Sequence, residues 1–255
     1  MEEWNKFFET VEKEISSTKC DLLFFRGHND TKWELTPLIY RVESSKWPDP
    51  LNIEQVIHQD FRSNCGPLYN RKLNDWEILF EMRHAGLPTR LLDWTENFAS
   101  ALFFALRGVD WKNNRNDKEK LQPCIWIMNP YELNEKFHKQ KNVFEIDHMK
   151  IKYDDIIDKE EILIRKKCPG PVAFTVSRQQ PRIFAQKSVF TFHALNFGPI
   201  EQIFSPCVKK FEIPLDSIEN ALNYLKLAGV NEYSIFPDLD GLGRFLFEFH
   251  KIKKS

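Results

Sequence analysis

Residues 99–106 read Ala-Ser-Ala-Leu-Phe-Phe-Ala-Leu, eight positions without a charge. A run this apolar belongs to a buried helix, because no face of it is suited to water. Three residues separate it from the preceding segment His84-Ala85-Gly86-Leu87-Pro88-Thr89-Arg90-Leu91-Leu92-Asp93-Trp94-Thr95. Gly86 and Pro88 impose an irregular backbone, and Arg90 and Asp93 are costly unless paired or exposed. The segment therefore reads as a polar loop delivered onto the start of a buried helix, a common construction for a binding site.

A second constraint lies upstream, where Leu22-Leu23-Phe24-Phe25 runs into Arg26-Gly27-His28. Four apolar residues in sequence fit a strand covered on both faces, here ending in a cation. Gly27 would let something approach the backbone closely just after Arg26. Two readings of Arg26 are open: a pair with a structural carboxylate, or a contact to a ligand.

The 255 residues carry a formal net charge of -1 and 29% charged side chains, which fits one globular domain over residues 1–255. No global basic excess marks a non-specific nucleic-acid binder, though a local basic face stays open. Cys20, Cys65, Cys124, Cys168 and Cys207 stand singly, without a Cys-x-x-Cys or a companion His at metal spacing. They read as packing residues in a reducing compartment, with no metal expected. The N-terminus is acidic and amphipathic, and no apolar run approaches the roughly 18 residues of a span, so a cytoplasmic protein without membrane contact is expected.

Along the chain, Trp4, Phe7, Phe8, Val11 and Ile15 predict an amphipathic helix over residues 3–17. Trp33–Arg41 reads as extended into a turn, and the two prolines of residues 44–52 predict a loop. Helices follow over 53–63 and 75–84, the second carrying His84 to its C-terminus, where the helix dipole favours an imidazolium; a simple cap is the alternative. Residues 107–122 are polar and breaker-rich, an exposed loop with a solvated charge run. Short helices are expected near 131–139 and 153–166. Strands are expected at 123–128, 171–176 and 207–214. A turn into a strand is predicted over 182–193, with polar residues at its start. A helix over 217–228 closes at Gly229, and Ile235–Gly241 turns into a C-terminal helix. Helices early and strands late predict an α+β domain with a mixed sheet.

Phe25-Arg26-Gly27, His84-x-Gly86-Leu87-Pro88-Thr89-Arg90-Leu91-Leu92-Asp93-Trp94-Thr95 and Arg182-Ile183-x-Ala185-Gln186-x-x-x-Phe190-Thr191 together resemble the FRG-domain family. The resemblance runs from the first helix to Gly241. The same order of features is similar, more weakly, to the Arg-Ser-Glu layout of ADP-ribosyltransferases, which implies a mainly antiparallel sheet with flanking helices and NAD as substrate. On that resemblance Arg26 takes the Arg position, Thr95 the Ser/Thr position and Gln186 the Glu position, with Asp93 as a further catalytic candidate. Gly27, His84, Arg90, Trp94 and Arg182 become the candidate NAD-binding residues.

A guanidinium suits pyrophosphate, and a polar residue at the nicotinamide ribose can hold the transition state in geometry. Gln186 departs from the pattern, since an amide is no general base and the Glu-x-Glu of arginine-directed members is missing. The resemblance therefore implies a transferase toxin acting on RNA rather than protein, held in check by an antitoxin or chaperone and serving anti-phage defence. The alternatives are a non-catalytic module that binds phosphate through Arg26, Arg90 and Arg182, and a hydrolase using His84 and Asp93, for which no nucleophile is evident. Three local readings stay open beside the resemblance. Thr95 caps a helix starting at Glu96, Asp93 pairs with Arg90 or Arg26, and Phe25 and Trp94 are either core or stacking residues.

Overall fold

The computed structural model describes residues 1–46, 49–114, 120–146, 153, 161–178 and 180–250. Its strands are β1 (Phe24–His28), β2 (Leu91–Thr95), β3 (Cys124–Met128), β4 (Phe144–Glu145), β5 (Val172–Thr175), β6 (Ser188–Phe192) and β7 (Val208–Glu212). They form one sheet in the order β4-β5-β6-β2-β1-β3-β7. Only β4 and β5 run parallel; every other neighbouring pair is antiparallel. The fold is the α+β class expected, a mixed and mainly antiparallel sheet with flanking helices.

Alternation along the strands sorts the core. Phe25, Ile125 and Ile127 meet the helix Phe98–Leu106, the N-terminal helix Glu2–Ser17 and the helix Ile218–Leu227. Phe24, Leu92, Trp94, Trp126 and Met128 form a separate cluster. The helix Asp75–His84 packs its Leu79, Phe80 and Met82 with Leu91, Phe190 and Phe192, while Pro50–Cys65 adds partly buried side chains. The apolar run 99–106 is thus the buried helix expected, begun by Asn97, whose side chain accepts from the amides of Ala99 and Ser100.

Gly27 has a packing reason for its identity. A Cβ there would collide with the carbonyl of Ala101 and crowd the amide of Ala105, so the helix lies directly on β1. What approaches this backbone is the 98–106 helix.

Several expectations are corrected. β1 continues to His28, so Arg26 sits within the strand rather than at its end. Leu91–Thr95 is a strand, not loop, because backbone pairing with β6 satisfies its polar groups. Residues 50–52 belong to the helix Pro50–Cys65, which Pro50 can begin because its missing N–H is not required there. Pro181–Gln186 is a helix, again opened by proline, and the strand begins only at Ser188. Within 107–122, Trp111–Asn114 is a short helix with Trp111 and Asn114 buried, and residues 115–119 lie outside the described residues. Of the helix expected over 153–166, Glu161–Lys167 is present, and residues 154–160 lie outside the described residues.

The five cysteines are free, and all but Cys20 are buried. Among the described residues no helix is long and apolar enough to cross a membrane, and no cluster of His, Cys, Asp and Glu could hold a metal ion.

Candidate functional site

β1 and β2 share a single registered pair, Phe25 opposite Thr95. Continuing that register would set Arg26 opposite Trp94 and Gly27 opposite Asp93, yet the strands part there. A cleft of about 340 Å³ opens between the two central strands of the sheet. Arg26, Gly27, His84, Asp93, Trp94, Thr95, Arg182 and Gln186 all line it. Residues from two strands and two helices are thereby brought together.

The guanidinium of Arg26 bridges the gap the ladder leaves. Its Nη1 donates to the Asp93 carbonyl at 2.5 Å and lies 3.6 Å from the Asp93 carboxylate. Its Nε donates to Nε2 of His28 at 2.8 Å. Because that nitrogen accepts, the proton of His28 is on Nδ1, which donates to the carbonyl of Trp33 at 3.2 Å. Burial, reinforced by Arg26, pushes the pKa of His28 down to about 2, which keeps the ring neutral. Nη2 of Arg26 has no protein partner among the described residues, so donors remain for a ligand.

Asp93 is clamped from the other side by Arg83, whose Nε donates to both carboxylate oxygens at 3.0 and 2.8 Å. Burial raises its pKa, but Arg83 and Arg26 outweigh that and hold the carboxyl below its ordinary range. Arg26 itself is brought down to about 10 by burial, with Asp93 opposing and Arg83 and Arg41 adding to the fall. Arg41 and Arg182 also line the cleft, and neither forms a carboxylate salt bridge among the described residues. Four guanidiniums therefore face Asp93 and Glu34, the two carboxylates of the lining. An excess of cations over anions in a partly desolvated cleft is suited to a phosphorylated ligand.

The opposite wall comes from Pro181–Gln186 and from Phe236. Nη1 of Arg182 donates to the carbonyl of His84 at 2.8 Å, and its guanidinium lies 4.6 Å from the centre of the Phe236 ring. Nε2 of Gln186 donates to the Ile235 carbonyl at 3.2 Å, and its Oε1 accepts from Ser188 at 3.4 Å. One amide N–H and one lone pair of Gln186 are left. The hydroxyl of Thr95 donates to the Gln186 carbonyl at 2.6 Å and accepts from the amide of Asn97 at 3.0 Å. With its proton committed, Thr95 ties the end of β2 to the neighbouring helix. The cap expected at Thr95 belongs to Asn97, and the helix starts at Phe98, not Glu96.

Other assignments change. Arg90 is not in the cleft: it is buried with Glu54, to which its backbone N–H donates at 2.7 Å and its Nε at 2.5 Å, and its Nη1 donates to the Ala194 carbonyl. Burial opposes its charge, and Glu54 more than compensates. Asp93 accordingly pairs with Arg26 and Arg83, not Arg90. His84 does end its helix, but burial lowers its pKa to about 4 against the pull of Asp93, so the imidazolium expected from the dipole is not favoured.

Phe25 and Trp94 are core residues that also line the cleft; the indole N–H of Trp94 donates to Thr191. The most exposed aromatic of the lining is instead Trp33, 48% exposed. Arg41, Arg83, Trp33 and Glu34 escaped sequence reasoning, since nothing local distinguishes them from surface residues. His28 was within reach, because two residues apart on a strand means the same face as Arg26.

Residues 21–114 match the family model described as the FRG domain. The match takes in β1, β2 and the helix 98–106, hence Arg26, Arg83, Asp93 and Thr95, and ends before Arg182 and Gln186. No curated protein matches the chain, and no solved structure does.

Proposed function

We propose that this chain, which carries an FRG domain over residues 21–114, binds NAD in the cleft between β1 and β2 and transfers ADP-ribose to a macromolecular acceptor, releasing nicotinamide. The observation that carries the reading is convergence: Arg26, Thr95 and Gln186, far apart in the chain, line one arginine-rich cleft at a splay in the sheet. On this reading Arg26, Arg41 and Arg182 hold the pyrophosphate. Asp93 and His28 orient Arg26, Gln186 hydrogen-bonds the nicotinamide ribose, and Trp33 stacks on a base. The ribose C1′–N bond breaks with its electron pair leaving on neutral nicotinamide, and the acceptor nucleophile takes its place at C1′.

RNA is the preferred acceptor, because no Glu-x-Glu accompanies Gln186. A chain with this activity would act as a toxin in a defence system and require an antitoxin. Incubation with NAD labelled in its adenylate half tests the reading. We expect nicotinamide release and labelled acceptor, both lost in Arg26→Ala, and growth arrest on expression that the same substitution relieves. Wild-type protein that neither releases nicotinamide nor labels any macromolecule would overturn the transferase.

One observation favours a non-catalytic phosphate-binding module instead. Asp93 is clamped by two arginines, and His28 and His84 are neutral, so the central lining offers few groups free to move a proton. Binding of NAD without nicotinamide release would be its signature.

A further inference from the structure

A second cavity of about 510 Å³ adjoins the cleft. His84 and Arg182 line both, and the Arg182 guanidinium donates to the His84 carbonyl where the two cavities meet. The two cavities differ in chemistry. Where the cleft gathers arginines, the second holds the carboxylates of Glu81 and Asp238 with the amide of Gln180. Tyr69, Leu73, Pro181 and Pro237 supply its flat and apolar walls.

Glu81 and His84 stand three apart on the helix Asp75–His84, hence on one face of it, while Arg83 reaches Asp93 in the cleft. Tyr69 lines the cavity beside the Glu81 carboxylate, which forms no salt bridge among the described residues. Burial, the strongest influence on it, raises its pKa above the ordinary range. Arg71, the other cation of this cavity, is already engaged by Glu77 in two hydrogen bonds.

We propose that this cavity is the acceptor subsite of the transferase, that it receives an RNA base presenting an amino or imino N–H, and that Glu81 takes the proton released on transfer. Planar walls with acceptor-only carboxylates select a flat group with N–H donors, and the cavity's contact with the cleft at Arg182 and His84 sets that group beside the ribose of NAD. In the step, the base nitrogen forms its bond to C1′ as the bond from C1′ to nicotinamide breaks. The pair departs on nicotinamide, and the N–H proton passes to the Glu81 carboxylate. This supplies the base that neither Gln186 nor the clamped Asp93 provides, and it rests on the NAD reading above.

The test separates release from transfer. Purified full-length wild type and Glu81→Gln are incubated with labelled NAD, with and without total RNA, alongside Glu81→Asp and Tyr69→Phe. Glu81→Gln should bind NAD with unchanged affinity and release nicotinamide to water as the wild type does, while its labelling of RNA falls about a hundredfold. Glu81→Asp should recover part of the labelling, and Tyr69→Phe should lose less than Glu81→Gln. The label should be sensitive to nuclease. Undiminished labelling by Glu81→Gln, or a label removed by protease instead of nuclease, overturns the subsite while leaving the NAD reading standing. A wild type that binds no NAD overturns both.

Discussion

Arg26 and Arg90 show how differently two arginines of one domain can be used. Arg90 is enclosed with Glu54, beneath the rings of Phe192 and Tyr153, and its ion pair is structural. Removing one partner leaves an uncompensated buried charge, so Glu54→Ala should cost about 3–5 kcal/mol in urea unfolding. The double variant Arg90→Met with Glu54→Leu should recover much of that loss and keep the NAD affinity of the wild type, as expected of a residue outside the cleft. Arg26 has spare donors, and its alanine variant should weaken NAD binding at least about tenfold in calorimetry, while the loss of its bonds to His28 and the Asp93 carbonyl should cost about 1–3 kcal/mol of stability. Both arginines follow from their neighbours across the fold, Glu54 for one and Asp93 for the other. A sequence displays the cations and the carboxylates without displaying which are adjacent, which is why Arg90 was grouped with Arg26 and Arg83 was overlooked. Gly27 is the reverse case: its importance was legible in the triplet, but the helix that demands it was not. Gly27→Ala forces β1 away from the 98–106 helix and should cost about 3 kcal/mol or more, read as a fall in the urea midpoint.

Among the elements, those with a long period were legible. The N-terminal helix, the helix ending at His84 and the buried 98–106 helix were all readable from apolar spacing, as were β3 and β5 from short apolar runs. Short elements with a polar residue inside them were not. β2 is five residues long, and Asp93 at its centre made Leu91–Thr95 resemble the loop before it; only pairing with β6 reveals a strand. Pro181–Gln186 spans under two turns, too few for any periodicity. Element ends carry testable weight too. Asn97 satisfies two amides at the start of the 98–106 helix, so Asn97→Ala should lower stability by about 1 kcal/mol while leaving NAD binding intact, because Arg26 and Asp93 are held by other contacts.

At the scale of the whole molecule, the strand order that brings β6 beside β2 and β2 beside β1 was beyond sequence reasoning, since it depends on pairings separated by tens of residues. That same order collects histidines in places where they cannot be charged. Burial lowers the pKa values of His28, His84 and His193 to about 2, about 4 and about 3, and lowers that of His138 as well. In the unfolded chain a histidine titrates near 6.5. Below that pH the unfolded state takes up protons that the folded state refuses, so folding loses stability as the pH falls, by about 1.4 kcal/mol per unit for each such histidine. The three most shifted together give about 4 kcal/mol per unit until His84 begins to titrate. Asp93 acts lower on the scale: with its folded pKa depressed, its contribution is complete above the unfolded carboxylate value near 4 and is lost only as the pH falls below it. Between pH 6.5 and 4.5 the histidines therefore govern stability and remove up to about 8 kcal/mol, a large share of a total of roughly 5–15 kcal/mol. Urea unfolding at pH 7.5, 6.5, 5.5 and 4.5 should show a plateau followed by a steep fall. His193→Gln should reduce the slope of that fall by about 1.4 kcal/mol per unit. A wild-type protein equally stable at pH 7 and pH 5 would mean that the buried imidazoles accept protons in place, and the neutral His28 that orients Arg26 would no longer hold.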